Sequence, residues 1–455
     1  MRKRWNYLLM LFLSVSFLET FAQQTEFNLQ EAYKTALEKY PGVTEKVGAI
    51  QAAQLDQKLI KSKQLPQTKL QLQNSFGTLE SSSGAFFPLP GIFNINGSTN
   101  AGEINTSFNM YGSVLADWEI FSFGKLSAEH EASGLKVEEA VSDLSVYQLD
   151  LQSLISRLYL KILYNRVRLK WSQDNVSRIQ KIYKISTVMA SAGLTPGADT
   201  ALASSSYYQL LSEEDLQRGR LHASKHQLNE FLSVNLELSE FLSDRFLSAA
   251  PYDFVSPVQG KHPYLEKLSH QAEYQRTLQK VAERSMLPSL SLLGGLSSRG
   301  FGHRQEGRSN GWVNSFTNQA TNYLVGLGIT WNLTGIYNKN LEKKRTVERR
   351  KMAESGYQQQ ELKIEAGIRA TGSLIAEQIK QVAKTKLAVS KAEEAYLLYS
   401  TRYENGLINL TELLQIQLLL QQAEEKQIEA FKGLWEQVII QSELKADFSN
   451  LFEIF

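Results

Sequence analysis

The sequence predicts a mainly α fold in which long, coiled-coil-like helices carry a membrane β-barrel, each chain contributing four strands. Three observations predict it. A helix–strand–strand–helix unit occurs twice, two proline-free stretches of helix-forming composition each run for about 66 residues, and two pairs of segments alternate apolar with polar or small residues.

The chain opens with Arg2, Lys3 and Arg4, an apolar stretch from Tyr7 to Leu18, and Thr20-Phe21-Ala22 ahead of Gln23. That order is a secretory signal, with cleavage expected after Ala22. The apolar stretch is too short for a spanning helix, which needs roughly 20 residues. Losing residues 1–22 leaves 46 basic and 46 acidic side chains, so the mature chain carries no formal net charge. Nothing in that balance favours a nucleic-acid partner. The absence of cysteine excludes disulfides, thiolate metal sites and a lipid-modified N-terminal Cys. After residue 22 no uncharged apolar run approaches the length of a transmembrane helix. Two options stand: a soluble extracytoplasmic protein, or an outer-membrane β-barrel whose strands alternate too finely for a hydropathy scan.

The duplication organises the chain. Tyr40-Pro41 matches His262-Pro263 and Leu65-Pro66 matches Leu287-Pro288 at a spacing of 222; Trp118 matches Trp331, Gly193-Leu194 matches Gly406-Leu407 and Asp199 matches Glu412 at 213. One register change of nine residues therefore lies between the Leu-Pro and Trp landmarks, and the first copy has the longer loop there. The expected organisation is a signal peptide at 1–22, a first repeat at 23–240, a linker at 241–262, a second repeat at 263–445 and a C-terminal tail at 446–455.

Within each repeat the strands come as a pair, expected near 68–77 and 107–121 in the first copy and near 289–298 and 321–333 in the second. Val114, Ala116, Trp118 and Ile120 alternate with Leu115, Asp117 and Glu119; Tyr323, Val325, Leu327, Ile329, Trp331 and Leu333 alternate with Leu324, Gly326, Gly328, Thr330 and Asn332. Leu70, Leu72 and Phe76 share a face of the first partner strand, and Leu290, Leu292 and Leu296 share one of the other. Period two gives strands with one greasy face. On alternation alone this suits a half-buried sheet of a soluble domain as well as a barrel wall. The intervening segments, 77–106 with Phe86-Phe87-Pro88-Leu89-Pro90 and 299–320, are rich in Gly, Asn and other polar residues and read as solvent loops.

The helical stretches Lys125–Ala192 and Asn340–Asn405 contain no proline and are rich in Ala, Leu, Glu, Gln and Lys. At ~1.5 Å per residue each spans about 100 Å, several times the size of a compact domain. Leu144, Tyr147, Leu151, Leu154, Leu158 and Ile162 step by three and four, the expected seam of a packed helix. Return helices are expected to start near Asp199 and Glu412 and to cover those seams.

A barrel in lipid must close, because an open edge leaves backbone N–H and C=O groups unpaired at several kcal/mol each. Four strands are half of what even a small single-chain barrel needs, about eight. Strands that face lipid here therefore require several chains to share one barrel.

Taken together, the leader, the duplicated unit, the strand end Trp118-Glu119-Ile120-Phe121-Ser122-Phe123-Gly124 with its looser counterpart Trp331-Asn332-Leu333-Thr334-Gly335, and the turn Tyr403-Glu404-Asn405-Gly406-Leu407 resemble the TolC outer-membrane efflux family over nearly the whole mature chain. The resemblance implies a homotrimer sharing one twelve-stranded barrel in the outer-membrane lipid, with twelve packed helices forming a periplasmic tunnel. It implies a periplasmic adaptor (membrane fusion) protein and an inner-membrane pump as partners, and export of small molecules without a cofactor.

It also implies a closed gate at the periplasmic tip. By matching positions, Tyr403 and Asp199 would form a latch between hydroxyl and carboxylate, and Glu412 would join a threefold ring of acids, where like charges raise one another's pKa. Asp199 and Glu412 also suit helix starts, where acids favour the dipole, and the roles can coexist. A basic residue common in the family's latch is replaced by Ile408. Gly193 and Gly406 would turn each long helix back, since glycine tolerates positive φ. Leu194, Leu407, Leu410 and Leu413 could dock an adaptor or pack between helices. Trp118 and Trp331 fit a membrane-interface belt or a core. His222 and His226 stand four apart but lack an evident third metal ligand, and no catalytic triad, phosphate loop or carboxylate pair marks an enzyme. A protein-secretion conduit of the same build and a soluble coiled-coil scaffold are the alternatives.

Overall fold

The computed structural model describes residues 28–78, 106–232, 244–248, 261–301, 316 and 319–455. The expected leader, nearly all of both expected loops and most of the expected 241–262 linker lie outside the described residues.

After α1 (Leu29–Lys39), one order of elements occurs twice. It is α2 (Pro41–Ser62), β1 (Gln67–Thr78), β2 (Thr106–Phe121), α3 (Lys125–Ser191) and α4 (Gly197–Leu232), then α5 (Pro263–Arg284), β3 (Ser289–Phe301), β4 (Gln319–Thr330), α6 (Gly335–Glu404) and α7 (Leu410–Lys445), with α8 (Ser449–Ile454) last. Counterparts match closely in length, 67 and 70 residues for α3 and α6 and 36 for both α4 and α7. Pro41 and Pro263 open α2 and α5, where a missing N–H costs nothing, and Pro66 and Pro288 follow the two helix ends, where the helix cannot continue.

The chain divides into two compact units, and each draws on both repeats. One comprises Val47–Ser142 and Glu266–Gln358 and holds the sheet. Its order is β1-β2-β3-β4, antiparallel throughout, so β1 and β4 are edges. The register aligns the greasy faces: Leu70, Val114, Leu296 and Tyr323 form one row, and Trp118, Leu292 and Leu327 another. On the opposite face Gln71, Ser113, Ser297 and Asn322 line up, as do Asp117, Leu293 and Gly326. Leu70, Val114, Leu296, Tyr323, Val325, Leu327 and Ile329 are all exposed. The sheet thus presents one continuous apolar face. β4 ends at Thr330 rather than at 333, placing Trp331 and Leu333 beyond the strand. The last pair is Ser289 with Thr330, and Pro288, next in line, has no N–H with which to extend the ladder.

The other unit comprises Met1–Lys46, Asp143–Leu265 and Gln359–Phe455. Its larger core packs α1, α3, α7 and α8 around Ile155, Tyr159, Leu163, Phe431, Trp435 and Val438. The expected tail at 446–455 belongs to this core: Phe448, Leu451 and Phe455 are buried, and Leu29 N–H donates to the Phe455 carbonyl at 3.0 Å. The steps of three and four between those residues give a single apolar face, which α1 and Trp435 cover. The expected α3 seam needs a second correction, because Leu154 is 40% exposed while Ile155 and Tyr159 are wholly buried. Helix α3 is enclosed from more than one side here, so pairs such as 155/156, 159/160 and 162/163 are buried together, and no single stripe describes it. Helix α6 keeps a narrow seam at seven-residue steps, Ile375, Val382 and Val389, as a two-helix contact requires.

Candidate functional site

Two helix reversals build the site. At the end of α3, Gly193 N–H donates to Ala190 O and Leu194 N–H to Met189 O; at the end of α6, Gly406 N–H donates to Tyr403 O and Leu407 N–H to Arg402 O. Both are Schellman turns, which satisfy the last carbonyls with one left-handed residue. Gly193 has φ of 75° and Gly406 of 70°. A Cβ would meet nothing within 4 Å at either, so backbone conformation, not space, asks for glycine there.

After the second turn Asn409 caps α7, its Oδ1 accepting Glu412 N–H at 2.9 Å while its Nδ2 donates to Glu412 Oε1 at 2.8 Å. Glu412 therefore acts as a capping partner in the first turn. Asp199 occupies the first turn of α4, its N–H donating to Pro196 O.

Between the four helix ends lies a small second core of Ile179, Ile182, Ala203, Tyr403, Leu410 and Leu413. Tyr403 is fully buried. Burial pushes its pKa up, the neighbouring Ser186 hydroxyl pulls it back, and the charge of Asp199 raises it further. No Tyr403–Asp199 hydrogen bond forms among the described residues; the Tyr403 and Ser186 hydroxyls are both buried without a completed hydrogen bond, and Asp199 acts on the phenol through its field. Ile408, which stands where a basic latch residue was expected, packs against this core instead.

The four turn leucines divide. Leu194 is 75% and Leu407 71% exposed, whereas Leu410 and Leu413 are each 1% exposed. Leu410 and Leu413 thus take the packing alternative: the α7 helix phase buries positions 410, 413, 417 and 420, the first two of them in the second core. A Schellman turn ordinarily folds its hydrophobic C″ residue back onto the helix; here both C″ leucines project outward.

A buried polar layer on α3 and α7 has no counterpart in the sequence reading. Gln417 donates to Asn175 Oδ1 at 3.0 Å, Asn175 Nδ2 to Trp171 O at 2.9 Å, and Arg178 to both Asn175 Oδ1 and Glu424. Arg168 bonds Glu425 at 2.8 Å and lies 4.4 Å over the Trp171 ring. Burial pushes the Glu424 carboxyl pKa up, Arg178 pulls it down, and the charge of Glu393 adds to the rise. The signal available in the sequence was a polar residue, Asn175, in the periodic series Trp171, Ile179, Ile182.

In the sheet-bearing unit, Trp118 and Trp331 are 39% and 54% exposed. Their ring nitrogens are engaged: Trp118 Nε1–H donates to Gln64 O at 2.7 Å and Trp331 Nε1–H to Met286 O at 3.0 Å.

Paired long helices joined to a four-stranded antiparallel sheet with one exposed apolar face define the class of fold. The chain belongs to the outer membrane efflux protein family, whose model matches residues 32–233 and 256–437. This is a family of transport channels, not of enzymes. No curated protein matches the chain in sequence. Among solved structures it is similar to the CmeC outer membrane channel of Campylobacter jejuni, at 15% identity and a TM-score of 0.74 over 92% of this chain and 85% of that one. It is likewise similar to the outer membrane protein VceC of Vibrio cholerae, at 14% identity and 0.71 over 92% and 96%. The MtrE outer membrane channel of Neisseria gonorrhoeae in its open state is similar too, at 14% identity and 0.68 over 92% and 89%. These likenesses establish the fold.

Proposed function

We propose that the mature chain, freed of residues 1–22, is one protomer of a trimeric outer-membrane duct that exports small molecules, taking them from an inner-membrane pump through a periplasmic adaptor. The observation that carries this is the sheet: a four-stranded ribbon with an exposed apolar face, whose outer strands β1 and β4 each pair on one side only among the described residues. In lipid those edges need partners, and three copies supply twelve strands. A soluble scaffold would have to cover Tyr323, Val325, Leu327 and Ile329 some other way.

The gate in this reading is the second core. Tyr403 sits among the four helix ends, so parting α6 and α7 from α3 and α4 must expose it. Asp199 and Glu412 line the same turns, Leu194 and Leu407 offer the adaptor two apolar contacts, and Trp118 and Trp331 border the lipid. Detergent extraction with size analysis tests the assembly, and a water-soluble monomer would rule it out. In planar bilayers Tyr403→Ala, which removes the ring from the middle of the second core, raises ion conductance; conductance equal to wild type counts against the gate.

A further inference from the structure

We propose that Trp118 and Trp331 are positioning residues that tie each strand pair to the end of the helix preceding it. The two bonds are one bond made twice. Trp331 follows Trp118 by 213 residues, whereas Met286 follows Gln64 by 222, so the pairing persists although the intervening loops differ in length. The acceptors are main-chain carbonyls, and their side chains, Gln and Met, share nothing that would hold an indole.

The acceptors occupy equivalent places. Helix α2 ends in tightened turns, Gln64 N–H to Lys61 O and Leu65 N–H to Ser62 O; α5 ends likewise, Met286 N–H to Glu283 O and Leu287 N–H to Arg284 O. Pro66 and Pro288 come two residues after each acceptor and bring no N–H to the junction. A carbonyl at a helix C-terminus needs a donor and sits at the negative end of the dipole, so an indole N–H arriving from the adjacent strand at the same end of the sheet acts as a C-terminal cap. Trp118 is near the end of β2 on its greasy face and Trp331 is one residue past β4, both where the chain turns into a long helix. Each bond therefore joins the chain entering the strand pair to the chain leaving it, 54 and 45 residues apart.

The rings still face outward, as an interfacial belt requires, but the polar handle of each is spent within the protein and not on lipid headgroups or water. Fixed in this way, the junction holds the strands in register over the helices that continue them and keeps the conducting path continuous there. This consequence rests on the channel reading; the bonds themselves do not.

The test is amide hydrogen exchange on the full-length protein in lipid nanodiscs, comparing wild type with Trp118→Phe, Trp331→Phe and the double variant. Phenylalanine keeps an aromatic ring at each position and removes the donor. Losing one hydrogen bond speeds local opening about fivefold. Trp118→Phe is expected to speed exchange across 63–69 alone, and Trp331→Phe across 285–291 alone, each copy serving as the other's control. Unchanged exchange at the altered junction, or equal loosening at both junctions in each single variant, overturns the proposal. Single-channel recording of the double variant is expected to show about twice the open-state current noise of wild type; a looser junction with wild-type noise overturns the positioning role. A wild-type protein that passes no current would sink the channel reading while leaving the exchange result intact. If the double variant misfolds, the two single variants decide.

Discussion

Gln417 donates its side-chain amide to Asn175 Oδ1 at 3.0 Å inside the contact of α7 with α3. Both residues are buried, at positions where a continuous hydrophobic seam would place leucine. A buried amide without its partner costs about 1–3 kcal/mol, whereas replacing both partners with apolar groups is nearly neutral. Asn175→Leu or Gln417→Leu alone is expected to lower the thermal midpoint in detergent, and the double variant to recover most of the loss. A double variant as weak as the sum of the two would show that the pair does not act as a unit.

Gly193→Ala and Gly406→Ala each force a side chain into the left-handed region, at about 1–2 kcal/mol. Because open space surrounds both positions, asparagine, which tolerates that region, is expected to restore most of the loss. Thermal unfolding of the Ala and Asn variants compares the two; equal destabilisation by both would point to lost contacts instead.

Leu194→Ser and Leu407→Ser remove exposed side chains and are expected to leave the melting curve within about 0.5 kcal/mol of wild type. Leu410→Ala removes a buried one and is expected to cost about 2–5 kcal/mol. Pull-down with the cognate adaptor reads the other half of the prediction: the two serine variants reduce capture while their fold is intact, and undiminished capture would remove them from the docking surface.

His262 supplies the pH dependence. It lies buried between α5 and the end of α7, its Nε2 facing the Glu443 carbonyl at 3.1 Å and its Nδ1 accepting Tyr264 N–H at 3.3 Å. That arrangement requires a neutral ring protonated at Nε2. Burial lowers its pKa, and the Glu443 carbonyl and carboxylate only partly offset that. A lowered folded value means the unfolded chain takes the proton first, so stability is fully present above about 6.5 and is lost as pH falls through the folded value. Melting of wild type is expected to drop between pH 7 and 5, and His262→Gln to flatten that slope. The same slope in both would assign it to other groups.

Much of the fold was legible because its signals are local. Period-two alternation marked all four strands and even the shared greasy face, since pleat geometry fixes which residues align. Proline-free composition marked the long helices, and the repeated Gly-Leu marked both reversals. The distribution of burial around α3 and α7 was not legible. Leu154 and Ile155 are adjacent and equally apolar, and only the placement of neighbouring helices left one exposed and the other buried. Tyr403 and Asp199 could be paired on paper, but the fold brings Ser186 to the phenol first and leaves the carboxylate acting through its charge.

By itself, then, the sequence determined the element order, its duplication, the strand faces and the residues at which helices begin and turn, because each depends on a few neighbouring dihedrals and on a period. Tertiary structure alone decided that Leu410 is core while Leu407 stays exposed, that Phe455 closes the larger core, and that Trp118 and Trp331 each find a carbonyl at the end of the helix leading into their strand pair. Those outcomes depend on which surfaces meet across long separations in the chain, and a main-chain carbonyl carries no mark in the sequence.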